Sequence, residues 1–194
     1  MNREKFIVGI DEAGRGALAG CVYAAAVILS PNQNINYKKL QDSKRLTANK
    51  RQELAIMIKE TAQYYAVARS SVVEIEKLNI LQASLLAMKR AILQLNLPLE
   101  NLMCLIDGNQ APKKIPYYKT IIKGDETVQC ISAASILAKV ARDDYITNEL
   151  DVLHPQYNFV KHKAYATKEH LYKLQQFGIC PLHRKTFKPI KNML

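Results

Sequence analysis

At 194 residues and 48% hydrophobic content, the chain can bury one substantial core. Its 28 Lys and Arg against 17 Asp and Glu give a formal charge of +11, which favours a polyanionic partner and argues against an acidic or neutral one. The apolar stretch Ala17–Leu29 is too short to span a bilayer, residues 1–10 lack a secretory pattern and no repeat appears, so a cytoplasmic single domain without membrane contact is expected; the sequence does not fix the oligomeric state, and a monomer is the working expectation.

Apolar Phe6–Ile10 reads as a buried strand that stops on Asp11-Glu12, delivering a carboxylate at the end of a rigid element with a turn directly after it. Gly14-Arg15-Gly16 follows, and its glycines allow backbone N–H groups to approach a nucleotide backbone; a plain acidic turn would share these features. Cys21–Leu29 is a second strand, and the glycine-punctuated stretch between the two is a loop. A basic cluster, Lys38, Lys39, Lys44, Arg45, Lys50 and Arg51, comes next. Thr47 caps a predicted helix from Ala48 to Gln63 with Leu54, Met57 and Ile58 on one face, and a strand from Tyr64 to Arg69 follows. The spacing of Leu81, Leu85, Met88, Ile92 and Leu95 predicts an amphipathic helix over 80–95 whose stripe is core, leaving Met88 no ligand role. Asn101–Ile106 is an apolar strand that again ends on a carboxylate, Asp107.

Two neighbouring strands ending in acids would set Asp11 beside Asp107. Such carboxylates repel unless cations sit between them, and hard oxygen ligands suit Mg²⁺ or Mn²⁺. Asp107-Gly108 is equally a hairpin-turn dipeptide. Lys123-Gly124-Asp125 is a third candidate on a loop after Thr120–Ile122, although Asp125 could serve as a helix-capping acid. Ser132–Asp143 is a long helix rich in small residues, able to pack closely on a sheet. Asp143 and Asp144 point about 100° apart on it and are secondary candidates.

From Lys161 to Lys191 eight basic residues face one acid, Glu169, interleaved with Tyr165, Tyr172, Phe177 and Phe187, a mixture suited to phosphates and bases. Residues 155–194 therefore read as a basic segment that adds to substrate binding. The four histidines show no zinc spacing and most of them read as surface or phosphate-facing groups, and the four scattered cysteines read as reduced packing residues. The Phe187–Ile190 vicinity reads as a docking tail or, in preference, a frayed end.

Together, Gly9–Gly16, Asp42–Leu46, Ile106–Asn109, Lys123–Asp125 and Ile131–Asp143, in this order, resemble ribonuclease HII, the type 2 ribonuclease H. The likeness continues through Thr167–Leu171 to His183–Phe187. It implies an α/β, RNase H-like mixed sheet flanked by helices with a C-terminal helical segment. It also implies endonucleolytic hydrolysis of the RNA strand of RNA–DNA hybrids and cleavage 5′ of ribonucleotides embedded in duplex DNA, leaving 3′-OH and 5′-phosphate ends. Asp11, Glu12, Asp107 and Asp125 match the family's four active-site acids, which hold two divalent ions, Mg²⁺ or Mn²⁺. Gly14, Arg15 and Gly16 match the loop that reads the 2′-OH and nearby phosphates, and Tyr165 matches the tyrosine that stacks at an RNA–DNA junction. Lys44, Lys163 and Arg184 are expected to contact phosphates, Lys163 from charge alone.

The chain departs from the family pattern at Ala17 and Cys21, where proline is usual, and at Ala164 and Ala166, where Gly-Tyr-Gly-Thr is common. A glycine position requiring positive φ would strain an alanine there. Two rivals explain part of the sequence: a non-cleaving nucleic-acid-binding protein of the same fold, and a transposase-like nuclease acting on DNA. The first leaves four acids in a phosphate-binding chain unexplained, and the second has no use for Gly14–Gly16 and Tyr165.

Overall fold

The computed structural model describes residues 5–31, 40 and 47–194. Lys44 and the rest of the Asp42–Leu46 motif lie outside the described residues.

Five strands form one mixed sheet in the order β3-β2-β1-β4-β5. They are β1 (Phe6–Ala13), β2 (Val22–Ile28), β3 (Tyr64–Ser70), β4 (Leu102–Asp107) and β5 (Tyr118–Ile121). The first three pair antiparallel, while β4 runs parallel to both β1 and β5. The predicted turn at Asp11 is corrected: β1 continues to Ala13 because Asp11, Glu12 and Ala13 pair with Ala25, Ala24 and Tyr23 of β2. The acids therefore sit inside a hydrogen-bonded ladder, not on a loose corner.

Helices cover both faces. α1 (Ala48–Thr61) begins at Thr47, whose hydroxyl accepts the Lys50 N–H at 3.3 Å. α2 (Val72–Leu78) opens on a capping box between Ser71 and Glu74. α3 (Ile80–Leu93) packs on one face, where Val8, Ile10, Ala24, Ala26, Met88 and Ile92 share a core. The predicted stripe is shifted there. Ala83, Ala87 and Ala91 are fully buried while Leu81 and Leu85 are only partly so, because the small residues let the helix axis approach the sheet and the leucines flank the contact.

On the opposite face lie α1 and the 17-residue α5 (Gln129–Tyr145), preceded by the single-turn α4 (Gly124–Thr127). Gly9 explains how closely α5 approaches: a Cβ there would lie 2.0 Å from the Cys130 backbone carbon. α5 passes through a π turn (Ile146–Leu150) into α6 (Asp151–Leu153). The short α7 (Phe159–His162) and α8 (Lys168–Phe177) follow.

Residues from 155 onward pack through Tyr157, Phe159, Leu174 and Ile190 against Ala17, Leu18 and Ala19 of the loop after β1. The frayed-end reading is corrected accordingly, since Ile190 is completely buried and Phe187 packs against that cluster. The reading of the histidines as surface groups is also corrected: His162, His170 and His183 are buried among the same aromatic residues. All four cysteines are buried free thiols. Among the described residues, no helix is long and apolar enough to cross a membrane.

Candidate active site

Alternation along β1 sends Val8 and Ile10 towards α3, and Gly9, Asp11 and Ala13 towards α5. The parallel register Ile10↔Ile106 then brings Asp11 and Asp107 level on adjacent strands and on the same face. Asp125 arrives by another route. The Asp107 carboxylate accepts the N–H groups of Gly124 (2.8 Å) and Asp125 (3.4 Å) at the start of α4, and the Ser132 hydroxyl of α5 donates to the Asp125 carbonyl at 2.6 Å. Asp125 thus lies in the first turn of a helix instead of a loop, clamped between β4 and α5.

All four acids line one cleft of about 370 Å³ together with Gly14, Arg51, Ser135, Lys139 and Tyr165. Burial holds the Asp11 carboxyl well above the usual carboxylate range, and the negative charges of Glu12 and Asp107 push it further; the Ser135 hydroxyl and the Glu12 N–H, 2.7 Å away, pull the other way. Glu12 is also raised, mainly by burial, against an opposing ion pair with Arg15 at 3.1 Å. Among the described residues, no three acid, histidine or cysteine side chains close on a single point. The carboxylates instead ring the cleft, and their donor set of hard oxygens with unfavourable mutual repulsion fits divalent cations such as Mg²⁺ or Mn²⁺.

One wall of the cleft is the glycine loop. Gly14 has φ of 97°, and a Cβ there would meet the Arg142 side chain at 2.1 Å, so both its conformation and its packing require glycine. Gly16 lies against the Tyr165 ring, whose edge is 3.9 Å from where a Cβ would be. Tyr165 in turn follows two residues in left-handed conformation, Lys163 (φ 49°) and Ala164 (φ 63°). The Ala164 substitution therefore falls on a position that strains a residue with a Cβ, whereas Ala166 does not.

Three consecutive carbonyls hold this segment. That of Lys163 accepts from Arg142 (2.9 Å), that of Ala164 from the Leu18 N–H (2.8 Å), and that of Tyr165 from the Thr167 N–H (2.8 Å).

Arg184 differs from its expected role. Its guanidinium is completely buried and donates to the Gly20 carbonyl (2.9 and 2.8 Å) and the Arg15 carbonyl (3.0 Å), bracing the glycine loop from behind with nothing left for solvent-side phosphates. The Lys163 ammonium donates to the Thr147 hydroxyl at 2.7 Å. Asp143 pairs with Lys139 at 2.8 Å and, like Asp144, is absent from the cleft lining.

Sequence reading placed Arg51 in a basic cluster but missed Ser135, Lys139 and Arg142. The last three are spaced i, i+4, i+7 on α5, so projecting the predicted helix would have shown one polar stripe, with Ser135 and Lys139 on the cleft and Arg142 behind the glycine loop.

With this geometry in place, comparisons with known proteins supply the family and the fold. A family model described as ribonuclease HII matches residues 8–190. The ribonuclease HII of Chromobacterium violaceum is 52% identical over 189 residues, covering 97% of this chain and 93% of that protein. That of Pelagibacter ubique is 51% identical over 191 residues, covering 98% and 100%. The crystal structure of ribonuclease H2 from Pyrococcus horikoshii shares the fold, with a TM-score of 0.75 at 22% identity over 96% of both chains. A Bst-RNase HIII structure in complex with Mn²⁺ also has a TM-score of 0.75, at 18% identity over 98% of this chain and 69% of that one. This chain belongs to the ribonuclease HII family, the type 2 ribonucleases H.

Proposed function

We propose that this member of the family hydrolyses the RNA strand of RNA–DNA hybrids and cuts duplex DNA on the 5′ side of embedded ribonucleotides, leaving 3′-OH and 5′-phosphate ends. The observation that carries this reading is the parallel register of β1 and β4, which sets Asp11 beside Asp107 while Asp107 itself fastens the helix bearing Asp125. Asp11, Glu12, Asp107 and Asp125 would hold two divalent ions, Mg²⁺ or Mn²⁺. Bound there, such ions supply charge neutralisation at the phosphodiester and activation of water.

The chain's own part is positional. Ser135 and the Glu12 N–H orient Asp11, two N–H groups orient Asp107, and the positive Arg51 and Lys139 draw the polyanion to the cleft edge. Gly14, Arg15 and Gly16 present backbone to the ribose and phosphates, and the Tyr165 ring beside Gly16 stacks under the junction nucleotide. Lys44 would add a phosphate contact, and residues 155–194 a basic flank to the same single domain. The protein is expected to act as a monomer in the cytoplasm.

Three duplexes incubated with Mg²⁺ or Mn²⁺ test this reading: all DNA, RNA paired with DNA, and DNA carrying one ribonucleotide. Cleavage of the second and third alone is expected. Binding without cleavage of any would replace the reading with a non-catalytic one, and cleavage of all-DNA duplex would replace it with a DNA nuclease.

A further inference from the structure

Two buried histidines have no part in the proposed chemistry, yet their hydrogen bonds end on Tyr165. His170 Nε2 lies 3.1 Å from His183 Nε2, His170 Nδ1 lies 3.0 Å from the Tyr165 carbonyl, and His183 Nδ1 lies 2.9 Å from the Cys180 backbone nitrogen. Both rings are fully buried.

The proton positions follow without choice. The Cys180 N–H can only donate, so His183 Nδ1 is an acceptor and its proton sits on Nε2. That proton points at His170 Nε2, which must then be the acceptor, leaving the His170 proton on Nδ1, aimed at the Tyr165 carbonyl. Direction thus runs from Cys180 through His183 and His170 to the residue beside the cleft. The Cys180 thiol, 3.1 Å from His183 Nδ1, adds no conflict, because an S–H can only reinforce the same acceptor.

We propose that His170 and His183 are positioning residues for Tyr165: a one-way hydrogen-bond relay that fixes the Tyr165 carbonyl, and with it the ring, for discrimination of single embedded ribonucleotides. The inference rests on the proposed stacking role of Tyr165. It is favoured by local strain, since Tyr165 follows the left-handed Lys163-Ala164 pair and needs restraint from beyond it. Tyr157, Phe159 and His162 wall the pair, with ring centroids 4.9 Å (Tyr157 to His183), 5.4 Å (Phe159 to His170) and 4.5 Å (His162 to His170) apart. His162 Nε2 is engaged by the Tyr157 carbonyl at 3.0 Å.

Two substitutions separate positioning from general support. In His170→Asn the amide nitrogen takes roughly the place of Nδ1 and keeps the donor to Tyr165, while the His183 N–H loses its acceptor. In His170→Gln the amide oxygen takes roughly the place of Nε2 and accepts from His183, while Tyr165 loses its donor.

His170→Gln is expected to lose on the order of tenfold in kcat/KM on the single-ribonucleotide duplex relative to the long hybrid, as a displaced contact group would cause. His170→Asn should keep the wild-type ratio even if it melts at a lower temperature. Nitrogen-15 NMR at neutral pH should show His183 protonated on Nε2 and His170 on Nδ1, and the Tyr165 carbonyl carbon shift should move in the Gln variant only. Reversed tautomers, or a substrate ratio that follows melting temperature in both variants, would overturn the relay. Because the carbonyl shift needs no substrate, it decides the wiring even if Tyr165→Ala loses all substrates equally, a result that would remove the stacking role itself.

Discussion

Asp107 combines two duties in one carboxylate: it faces the cleft beside Asp11 and it receives the N–H groups that start α4. Asparagine at this position keeps an oxygen for Gly124 and removes the charge. Asp107→Asn is therefore expected to leave folding and substrate binding close to wild type while kcat falls on the order of a thousandfold, several kcal/mol of lost transition-state stabilisation. Near-normal turnover in a steady-state assay would remove Asp107 from the metal-holding set.

Arg184 yields the opposite pattern. Its loss strands the buried Gly20 carbonyl and the partly buried Arg15 carbonyl, so Arg184→Ala should cost about 3 kcal/mol in urea unfolding. A variant with unchanged stability and a raised KM would restore the phosphate-contact reading. The difference between these two residues shows what sequence can convey. Asp107 was legible because it ends an apolar strand, whereas the burial of Arg184 depends on a loop 164 positions away in the chain. The histidine relay was hidden for the same reason, since nothing near His170 or His183 in sequence announces a shared aromatic core.

Among the elements, β1 and α5 show how packing sets the site. Gly9 lets α5 press against β1, which brings Ser135 to Asp11. Adding one methyl, Gly9→Ala, forces helix and strand apart and is expected to destabilise the protein by about 3 kcal/mol, the upper range for overfilling a core. A thermal unfolding midpoint within a degree of wild type would show that α5 can yield without cost.

Strand and helix positions were largely readable from periodicity and caps: Thr47 does cap α1, and the apolar runs at 6–10 and 101–106 do form adjacent strands. α2 was overlooked although Ser71-Val72-Val73-Glu74 carries a capping-box pattern, because only seven residues follow the cap and no apolar period develops. The predicted stripe does bury Met88, Ile92 and Leu95, but the buried face of α3 extends to Ala83, Ala87 and Ala91 and leaves Leu81 and Leu85 at its margin. Periodicity identifies an apolar side but does not tell which residues touch when alanines permit a closer approach.

For the molecule as a whole, two buried titratable groups oppose each other. Burial, chiefly, lowers His170 and His183 to about 4, so between that pH and their ordinary 6.5 the unfolded chain binds more protons and stability falls as the pH drops. His162 on α7, His154, Cys180 and Tyr157 are the other titratable groups around that pair. Asp11 and Glu12, raised when folded, act in the reverse sense and gain stability on acidification. In Asp11→Asn, where most of the acid repulsion is gone, urea midpoints measured between about pH 4 and 7 should fall more steeply with acid than in the wild type. Parallel curves would mean that the two sites are not opposed.

The loop after β1 is stitched to the far end of the chain: Ala19 bridges His183, the Gly20 N–H donates to Leu182, and the Arg184 N–H donates to Leu18. On a ribosome, then, the four acids are all translated by residue 125, but the strut behind the glycine loop emerges only with residues 182–184. In the proposed reading, synthesis completes the cutting centre before its selectivity, so a chain stopped between residues 125 and 182 would be missing discernment while holding all four carboxylates.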